Sequence, residues 1–289
     1  MTERDEHQAV RLTDGRLLGF AEYGDATGTP VLCFHREVGS RLLARTLDHD
    51  ARNRSLRLIA PDRPGFGFSD FQPDRAIADW PADVAELAGQ LGLDRFAVLG
   101  VSAGTPYALA CAWKLGNRVT STVIAGTALP VSMMEDEPDT PPIQRLLTRS
   151  TVRAPWTIRP VMTLLAQVSR RAPEQAVSRM EASAGEADRS VFARPEVREM
   201  LVHSMAESFR SGPRGAAHDI RLVTADWGIP LGEVGGQVDV VHGGADNEVR
   251  PENARRLTDA LPRARFHLVP GAGHHLTLTS PGQVLEPQT

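Results

Sequence analysis

The stretch Phe96–Gly104 reads FAVLGVSAG, and it decides the fold of this 289-residue chain. Its first six residues are continuously apolar, which is typical of a strand that a parallel sheet buries on both faces. A G-x-S-x-G pattern centred on Ser102 overlaps its end, and helical spacing continues from Ala103 to Leu115. A sharp turn from strand to helix pushes the serine hydroxyl outward and requires small residues where the backbone crowds it. The stretch therefore predicts a serine at the tip of such a turn, and a serine that merely caps the helix is the less favoured interpretation.

Segments on both sides of this stretch alternate between strand and helix. Asp14-Gly15 separates the first two apolar runs and is a strong signal for a hairpin. Between Pro130 and Gly212 helical segments interrupted by prolines replace the strand-like runs. The predicted strands are Val10–Thr13, Arg16–Tyr23, Val31–His35, Leu56–Ala60, Phe96–Val101, Val119–Ala125, Gln237–His242 and Ala264–Val269. The predicted helices are Arg41–Asn53 with Ser40 as N-cap, Ile77–Leu91, Ala103–Leu115 and Glu252–Leu261.

This order of elements predicts an α/β fold, with a doubly wound, mostly parallel sheet into which a helical cap is inserted. We expect one core formed by residues 1–128 and 213–289, and a cap formed by residues 129–212. The chain length alone would also allow two separate domains.

Charge and composition exclude several classes of protein. The net charge is −4, from 32 basic and 36 acidic residues, which is not the electrostatic footprint of a nucleic-acid-binding protein. Two cysteines cannot form a disulfide framework, and no histidine or cysteine spacing predicts a metal site, so we expect no cofactor. The first eight residues lack the apolar segment of a signal peptide, and no uncharged stretch is suited to a membrane. These features predict a cytoplasmic protein without membrane contact. We also expect a small-molecule substrate, and the chain is expected to be a monomer or a homodimer.

Two further polar residues follow predicted strands near the end of the chain. Asp246 comes just after the strand QVDVVH, and His274 follows the strand ARFHLV through a glycine-rich turn. Both therefore lie in loops at the carboxyl ends of strands, where an open α/β sheet places its site. A serine hydroxyl needs a base to become a nucleophile, and the base needs an acid that orients it.

In this order of serine, acid and histidine the chain resembles the α/β-hydrolase superfamily. The resemblance is to its capped branch, which includes epoxide hydrolases, dehalogenases, esterases and proline iminopeptidases. It covers roughly residues 10–128 and 213–276 and depends on PDRPGFGFSD at 61–70, LGVSAG at 99–104, HGGAD at 242–246 and PGAGH at 270–274. The resemblance implies that Ser102 is the nucleophile, His274 the base and Asp246 the orienting acid.

Other histidines and acids near these motifs receive different interpretations. His275 is adjacent to His274, but the position directly after Gly-Ala-Gly matches the family motif, which favours His274. We expect His35 to brace a loop and His242 to pack beneath the site. Asp62 and Asp70 are interpreted as residues that order a turn.

The loop after the strand VLCFH departs from the family pattern. Relatives commonly have His-Gly-x-Pro there, whereas this chain has His35-Arg36-Glu37-Val38. By position, the backbone N–H groups of Glu37 and Ala103 would donate to the oxyanion. Three alternatives stay open for Arg36. Its side chain points to solvent and the loop keeps its shape, or it enters the pocket and binds an anionic substrate group. In the third alternative the oxyanion hole, formed by these two N–H groups in relatives, is degraded and the fold serves a non-hydrolytic purpose.

These observations predict a serine hydrolase that cleaves an ester, lactone or related acyl bond of a mainly apolar small molecule through an acyl-enzyme. An enzyme with an aspartate nucleophile is disfavoured because the turn carries Ser102. One alternative is a non-hydrolytic enzyme of the same fold that performs elimination, cyclisation or carbon–carbon cleavage in a biosynthetic pathway. Another is a ligand-binding protein with a vestigial site.

Overall fold

A computed structural model describes residues 6–134 and 154–288, and its centre is an eight-stranded sheet. The strands follow the spatial order β1-β2-β4-β3-β5-β6-β7-β8. β1 and β2 form an antiparallel hairpin, β2 is antiparallel to β4, and the other neighbouring pairs are parallel. The strands are β1 Gln8–Arg11, β2 Leu17–Gly24, β3 Thr29–Phe34, β4 Leu56–Pro61, β5 Phe96–Ser102, β6 Val119–Thr127, β7 Val238–Gly243 and β8 Ala264–Val269.

Helices precede, connect and follow the parallel strands, so the doubly wound, mostly parallel architecture expected from the sequence is confirmed. The α-helices are α1 Asp48–Asn53, α2 Trp80–Gln90, α3 Thr105–Lys114, α4 Ile158–Arg171, α5 Pro173–Ser183, α6 Glu186–Phe192, α7 Pro195–Ser208, α8 Arg214–Thr224, α9 Pro251–Asp259, α10 Leu276–Thr279 and α11 Pro281–Leu285. Short 3₁₀ helices cover Arg41–Leu47, Ile77–Asp79, Gly116–Arg118, Val131–Met133, Pro155–Thr157, Leu231–Glu233 and Glu286–Gln288.

The predicted single helix over Arg41–Asn53 is wrong in its first half, which winds as a 3₁₀ helix before α1 begins. Ser40 is the N-cap, as expected, because its hydroxyl accepts from the N–H of Leu42. The N–H of Arg41 and its guanidinium both donate to the buried carboxylate of Asp62. This start of the helix is therefore held by a core carboxylate as well as by its own turn.

Alternate residues of each central strand belong to different apolar clusters, as expected when successive side chains point to opposite faces of a sheet. Leu32 and Phe34 pack in one cluster with side chains of α2 and α3. Val31 and Cys33 pack in the other, which α1 and α11 cover. Helices therefore bury both faces of the sheet and leave the carboxyl ends of its strands for the loops.

Helices α4 to α7 lie between β6 and β7 in the chain, in the part predicted to be a cap. Within 154–212 every described regular element is helical, whereas residues 135–153 of the predicted cap lie outside the described residues. Two apolar clusters join these helices to the core, one through Phe66 and one through Leu278. The boundaries of core and cap stay a prediction. None of the helices in the described ranges has the length and apolarity that crossing a bilayer requires.

Candidate active site

The turn after β5 has the strained shape that its sequence predicts. Ser102 adopts a φ of +49°, a region that non-glycine residues rarely occupy. A Cβ atom on Gly100 would stand 2.6 Å from the carbonyl oxygen of Gly104, and one on Gly104 would stand 2.2 Å from that of Phe34. The two glycines are therefore required by close backbone contacts, and the turn presents the hydroxyl of Ser102 at the end of a central strand.

Ser102, His274 and Asp246 form a continuous chain of hydrogen bonds. The Oγ of Ser102 lies 2.9 Å from Nε2 of His274, and Nδ1 of His274 lies 2.8 Å from Oδ2 of Asp246. All three side chains are buried. The loops after β5, β7 and β8 thus bring together three residues that the sequence separates by up to 172 positions. His275 does not join this chain, and its Nδ1 accepts from Nη1 of Arg36 at 2.8 Å.

The carboxylate of Asp246 is held by its own loop and by two imidazoles. Its Oδ1 accepts from the N–H groups of Glu248 and Val249, and His242 lies 3.1 Å from its Oδ2. Burial disfavours the charged form, but hydrogen bonds from His242 and His274 outweigh it and hold the pKa of Asp246 well below its ordinary value. Asp246 is therefore an anion, which fixes the orientation and tautomer of His274. His242 is fully buried beneath the site, as expected.

The two adjacent histidines have opposite electrostatic surroundings. Burial lowers the pKa of His274, but the hydrogen bond and charge of Asp246 and the charge of Glu248 outweigh it, so the pKa lies above the ordinary value. Burial and the guanidinium of Arg36 lower the pKa of His275 far below the ordinary value. His274 can therefore accept and hold a proton, whereas His275 stays neutral.

Arg36 lies inside the site, so the alternative in which its side chain points to solvent is wrong. Only 12% of the side chain is exposed, and its Nη2 lies 3.4 Å from Oε1 of Glu37 while Nη1 binds His275. Its Nε is buried without a hydrogen-bond partner in the described part of the chain. The guanidinium is thus engaged by the protein's own imidazole and carboxylate.

Glu37 contacts the serine with its side chain, which sequence reasoning missed. Oε2 of Glu37 lies 3.3 Å from Oγ of Ser102, so the single hydroxyl proton can be donated to this carboxylate or to Nε2 of His274 at 2.9 Å. Burial raises the pKa of Glu37, but the charges of Arg36 and His274 and a hydrogen bond from its own backbone N–H outweigh it and lower the pKa. The carboxylate is therefore an anion beside the N–H group that was expected to bind the oxyanion. Ala103, the other expected donor, is buried directly after Ser102.

His35 braces the oxyanion loop, as expected. Its Nδ1–H donates to the carbonyl of Arg36 at 2.8 Å, and its Nε2 accepts from the N–H of Arg63 at 3.2 Å. The guanidinium of Arg63 donates to the carbonyls of His35 and Arg36. The loop conformation is therefore fixed by the segment 61–70, in which Asp62 and Asp70 also bind backbone N–H groups, as the sequence indicated.

A narrow, mainly apolar cavity with about 30 Å³ of free space reaches Val101 and the two histidines. Among the described residues that line it, Arg36 is the only arginine, lysine, aspartate or glutamate. The cavity is lined by Cys33, Phe34, His35, Arg36, Ser40, Leu43, Ala44, Leu47, Ala60, Val101, Leu201, His274, His275, Thr277 and Leu278. The described residues contain no group of three metal-ligating side chains placed to hold a metal ion.

Two more acidic residues of the site were not found by sequence reasoning. Glu248 lies 3.8 Å from Nε2 of His274 and 3.4 Å from Nε2 of His275, and its position two residues after Asp246 was the available signal. Asp188 of α6 accepts from the N–H of His274. No motif marks Asp188, because it comes from a distant helix.

Comparisons with known proteins identify the fold family of the chain. The family model described as alpha/beta hydrolase fold matches residues 29–281. Haloalkane dehalogenase 2 of Mycobacterium bovis and of Mycobacterium tuberculosis is 29% identical over 134 residues, which are 43% of this chain and 46% of the relative. The chain thus spans about half the length of the curated relatives it matches.

Solved structures cover nearly the whole chain at lower identity. A thermophilic esterase from Thermogutta terrifontis has a TM-score of 0.68 and 24% identity, and the match covers 98% of this chain and 95% of that one. A hydrolase from Pseudomonas aeruginosa has a TM-score of 0.71 and 17% identity, with 98% of both chains covered. At such identities the likeness establishes the fold.

Proposed function

The chain belongs to the α/β-hydrolase fold family, and on that premise we propose that it is a serine hydrolase acting on an ester, lactone or related acyl bond. The observation that carries the proposal is the continuous chain of hydrogen bonds from Ser102 through His274 to Asp246. A nucleophile, a base within hydrogen-bond reach and an acid that orients the base are the parts that acyl transfer needs.

The geometry supports a mechanism in two halves. His274 takes the proton from Oγ of Ser102 through Nε2 while the oxygen attacks the acyl carbon, and Asp246 stabilises the imidazolium that forms. His274 then gives this proton to the leaving oxygen, and the acyl group stays on Ser102 as an ester. A water molecule activated by the same imidazole attacks that ester, and the proton returns to Ser102 as the acid is released.

The oxyanion hole in this proposal uses the backbone N–H groups of Glu37 and Ala103. The carboxylate of Glu37 lies against Ser102, on the side where the developing negative charge needs those donors. We propose that an entering carbonyl oxygen displaces this carboxylate, which keeps its ion pair with Arg36. Arg36 is thus assigned to holding Glu37 and His275 and not to binding an anionic substrate.

The lining of the site favours a mainly apolar substrate. Leu43, Leu201 and Leu278 line the cavity that reaches His274. The dehalogenase relatives share less than half of their length with this chain, and the turn here carries the hydroxyl of Ser102. We therefore propose acyl chemistry in place of halide displacement, with no cofactor and with a monomer or homodimer as the working unit.

A second candidate function is a non-hydrolytic reaction of the same fold. The observation that favours it is the contact between Glu37 and Ser102, because a carboxylate in that position opposes an oxyanion and is suited to proton transfer. A pure ligand-binding protein is less well supported, since binding alone does not need the buried anion of Asp246 behind His274.

Labelling with a fluorophosphonate tests the proposal, because the reagent needs a serine activated by a base. We expect strong labelling of the wild-type protein and none of Ser102→Ala. With a short-chain p-nitrophenyl ester, we expect Ser102→Ala to lower kcat by at least about 10⁴-fold.

Folded wild-type protein that neither labels nor hydrolyses any ester of a chain-length series would refute the hydrolase proposal. Labelling that is lost in Ser102→Ala, while turnover of a physiological substrate continues, would support the non-hydrolytic candidate. Circular dichroism of both proteins establishes that they are folded.

A further inference from the structure

The cap helix α6 holds the backbone on both sides of His274 with a single carboxylate. Oδ2 of Asp188 accepts from the N–H of His274 at 2.9 Å, and Oδ1 accepts from the N–H of His275 at 3.2 Å. Asp188 is only 1% exposed. Both partners are backbone N–H groups and not cationic side chains, so the carboxylate binds the backbone of this loop.

These two hydrogen bonds constrain the conformation of His274 itself. The N–H of His274 belongs to the peptide group before its Cα, and the N–H of His275 belongs to the peptide group after it. Because each peptide group is planar, fixing both planes fixes φ and ψ of His274. The direction of its Cα–Cβ bond, and with it the reach of the imidazole toward Ser102, follows from those angles.

A second contact comes from the same face of α6. Phe192 lies one helical turn after Asp188 and is fully buried, and its ring packs edge-on against the ring of His275 at 4.9 Å between centroids. On the other side, a Cβ atom on Gly273 would stand 2.2 Å from Oδ2 of Asp188. The helix and the histidine loop are therefore fitted to each other, with no room for a side chain between them.

Burial of this carboxylate is unfavourable by itself. Burial raises the pKa of Asp188 above its ordinary value, although the two backbone N–H groups and the charge of His274 act in the opposite direction. A group that served only to attach the cap would cost less as an apolar side chain. The presence of a buried carboxylate at this position is better explained by its two hydrogen bonds, which hold the peptide groups on both sides of His274.

We infer that Asp188 is a positioning residue, which makes the alignment of His274 depend on the seating of the cap. The inference rests on the proposed function and deepens it, because it assigns to the cap a part in orienting the base. When α6 is seated, the imidazole points at Ser102. When α6 moves away, the loop loses both hydrogen bonds and the base is no longer held in line.

The variant Asp188→Asn tests this inference. Its amide oxygen can accept from one N–H group, and its NH₂ group opposes the other. We expect kcat to fall about tenfold to hundredfold while KM changes by less than about threefold, since a shift of about 1 Å in a catalytic group suffices for the larger loss. The loss of a negative charge beside His274 should also move the acid limb of the pH–kcat profile to lower pH. Glu186→Gln removes the same charge from an exposed position on α6 and should match the wild type.

Two readouts do not depend on turnover. In the intact protein, hydrogen exchange followed by NMR should show faster exchange of the His274 and His275 amides in Asp188→Asn than in Glu186→Gln. An NMR titration should show a lower pKa for the ring of His274. If the wild type hydrolyses no ester and these changes still occur, the proposed function fails and the positioning role stands.

Several outcomes would overturn the inference. One is unchanged amide exchange in Asp188→Asn, and another is a lower melting temperature with kcat and the pH profile unchanged, which is the result expected of a merely structural anchor. Should Asp188→Asn fail to fold, Gly273→Ala separates the carboxylate from both N–H groups without altering Asp188. The same fall in kcat is expected there, and an unchanged kcat would contradict the inference.

Discussion

Two clusters of charged side chains lie near the ends of the central strands, and they differ in how their charges are paired. The closed cluster consists of Arg63, Arg75, Tyr107 and Asp219, all of them buried. The open cluster consists of Arg36, Glu37, Glu248 and His275, next to Ser102 and His274. The first connects α8 to the core, and the second lies beside the cavity, which Arg36 and His275 line.

In the closed cluster the anion is surrounded by donors at short range. Asp219 accepts from Arg63, Arg75 and Tyr107 at 2.6–3.2 Å. Burial alone would raise its pKa, but the two guanidinium groups hold the pKa far below its ordinary value. Each oxygen of the Asp219 carboxylate therefore has at least one cationic or phenolic donor, although Nε of Arg75 has no hydrogen-bond partner in the described part of the chain.

In the open cluster most contacts are longer and the carboxylates are partly exposed. Apart from the bond between Arg36 and His275, the distances between its members and to Ser102 and His274 are 3.3–3.8 Å. One third of Glu37 and 38% of Glu248 are exposed. Burial raises the pKa of Glu248 more than His274 and Arg36 lower it. The comparison teaches that the buried carboxylate which joins two segments of the fold is paired at short range, whereas the carboxylates of the candidate site are paired loosely and remain partly exposed.

The largest expected effect is on stability, from a change that opens the closed cluster. Asp219→Asn leaves two buried guanidinium groups without their anion, and we expect the free energy of unfolding to fall by about 3–5 kcal/mol. Urea denaturation at pH 7 measures this difference. Because the folded-state pKa is depressed, the stabilisation is present above the unfolded pKa and is lost as pH falls toward the folded value. The difference between wild type and variant should therefore narrow below about pH 4.

The exposed Asp259 in α9 supplies the control for this measurement, and Asp259→Asn should change stability by less than about 0.5 kcal/mol. If Asp219→Asn were as stable as that control, the closed cluster would not be a stabilising unit.

An intermediate effect is expected in the open cluster, where removing a charge should raise activity. Glu37→Gln takes a negative charge away from the place where the oxyanion forms. Two like unit charges 4 Å apart near a protein surface repel each other by about 4 kcal/mol. The positive charge of Arg36 already offsets part of the repulsion between Glu37 and an oxyanion. We therefore expect the rate of fluorophosphonate labelling to rise about tenfold.

The exposed Glu196 provides a matched control, since Glu196→Gln removes one charge from α7 without touching the site. A slower reaction in Glu37→Gln would show that the carboxylate assists the serine, and it would count in favour of the non-hydrolytic candidate.

The smallest effect is a shift in pH dependence. Below its raised pKa, His274 is protonated and cannot accept the proton of Ser102, so activity falls as pH falls through that value. Glu248→Gln removes one of the charges that raise the pKa, and the acid limb of the kcat/KM profile should move to lower pH. The rate at high pH should stay within about twofold, because the base and its orientation are unchanged. The control is Glu252→Gln, which changes an exposed neighbour in the same segment and should leave the acid limb of the profile in place. A shift of the acid limb to higher pH in Glu248→Gln would contradict this electrostatic account.

Much of the fold could be predicted from local patterns. The apolar run before Ser102 was placed correctly, because burial of a parallel strand on both faces imposes a pattern on its own sequence. The strand ARFHLV at Ala264–Val269 was also placed correctly, although it lies at the edge of the sheet and only Val269 in it is buried. The helix over Arg41–Asn53 was wrong in its first half, since Asp62, a residue of another segment, binds its start. Tertiary hydrogen bonds of this kind leave no periodicity to detect.

The site divides in the same way. Ser102, Asp246 and His274 stand in motifs tied to turns, and the structure brings them into contact. The side chain of Glu37 and the part taken by Asp188 were missed. Their positions depend on side-chain direction and on the packing of a helix 86 residues away from the histidine. Sequence patterns predict the shape of a loop better than they predict which side chains from distant segments contact it.

The placement of α4 to α7 between β6 and β7 has a consequence for the nascent chain. The ribosome completes the turn around Ser102 long before it adds β7, β8 and the loops that carry Asp246 and His274. Until β7 arrives, one edge of the buried strand β6 is unpaired and open to other chains. Ser102 meanwhile lacks its hydrogen-bond partner His274, the base of the proposed mechanism. Under the proposed mechanism, Ser102 would become reactive only after β7 and β8 have been synthesised and β7 has covered this edge of β6.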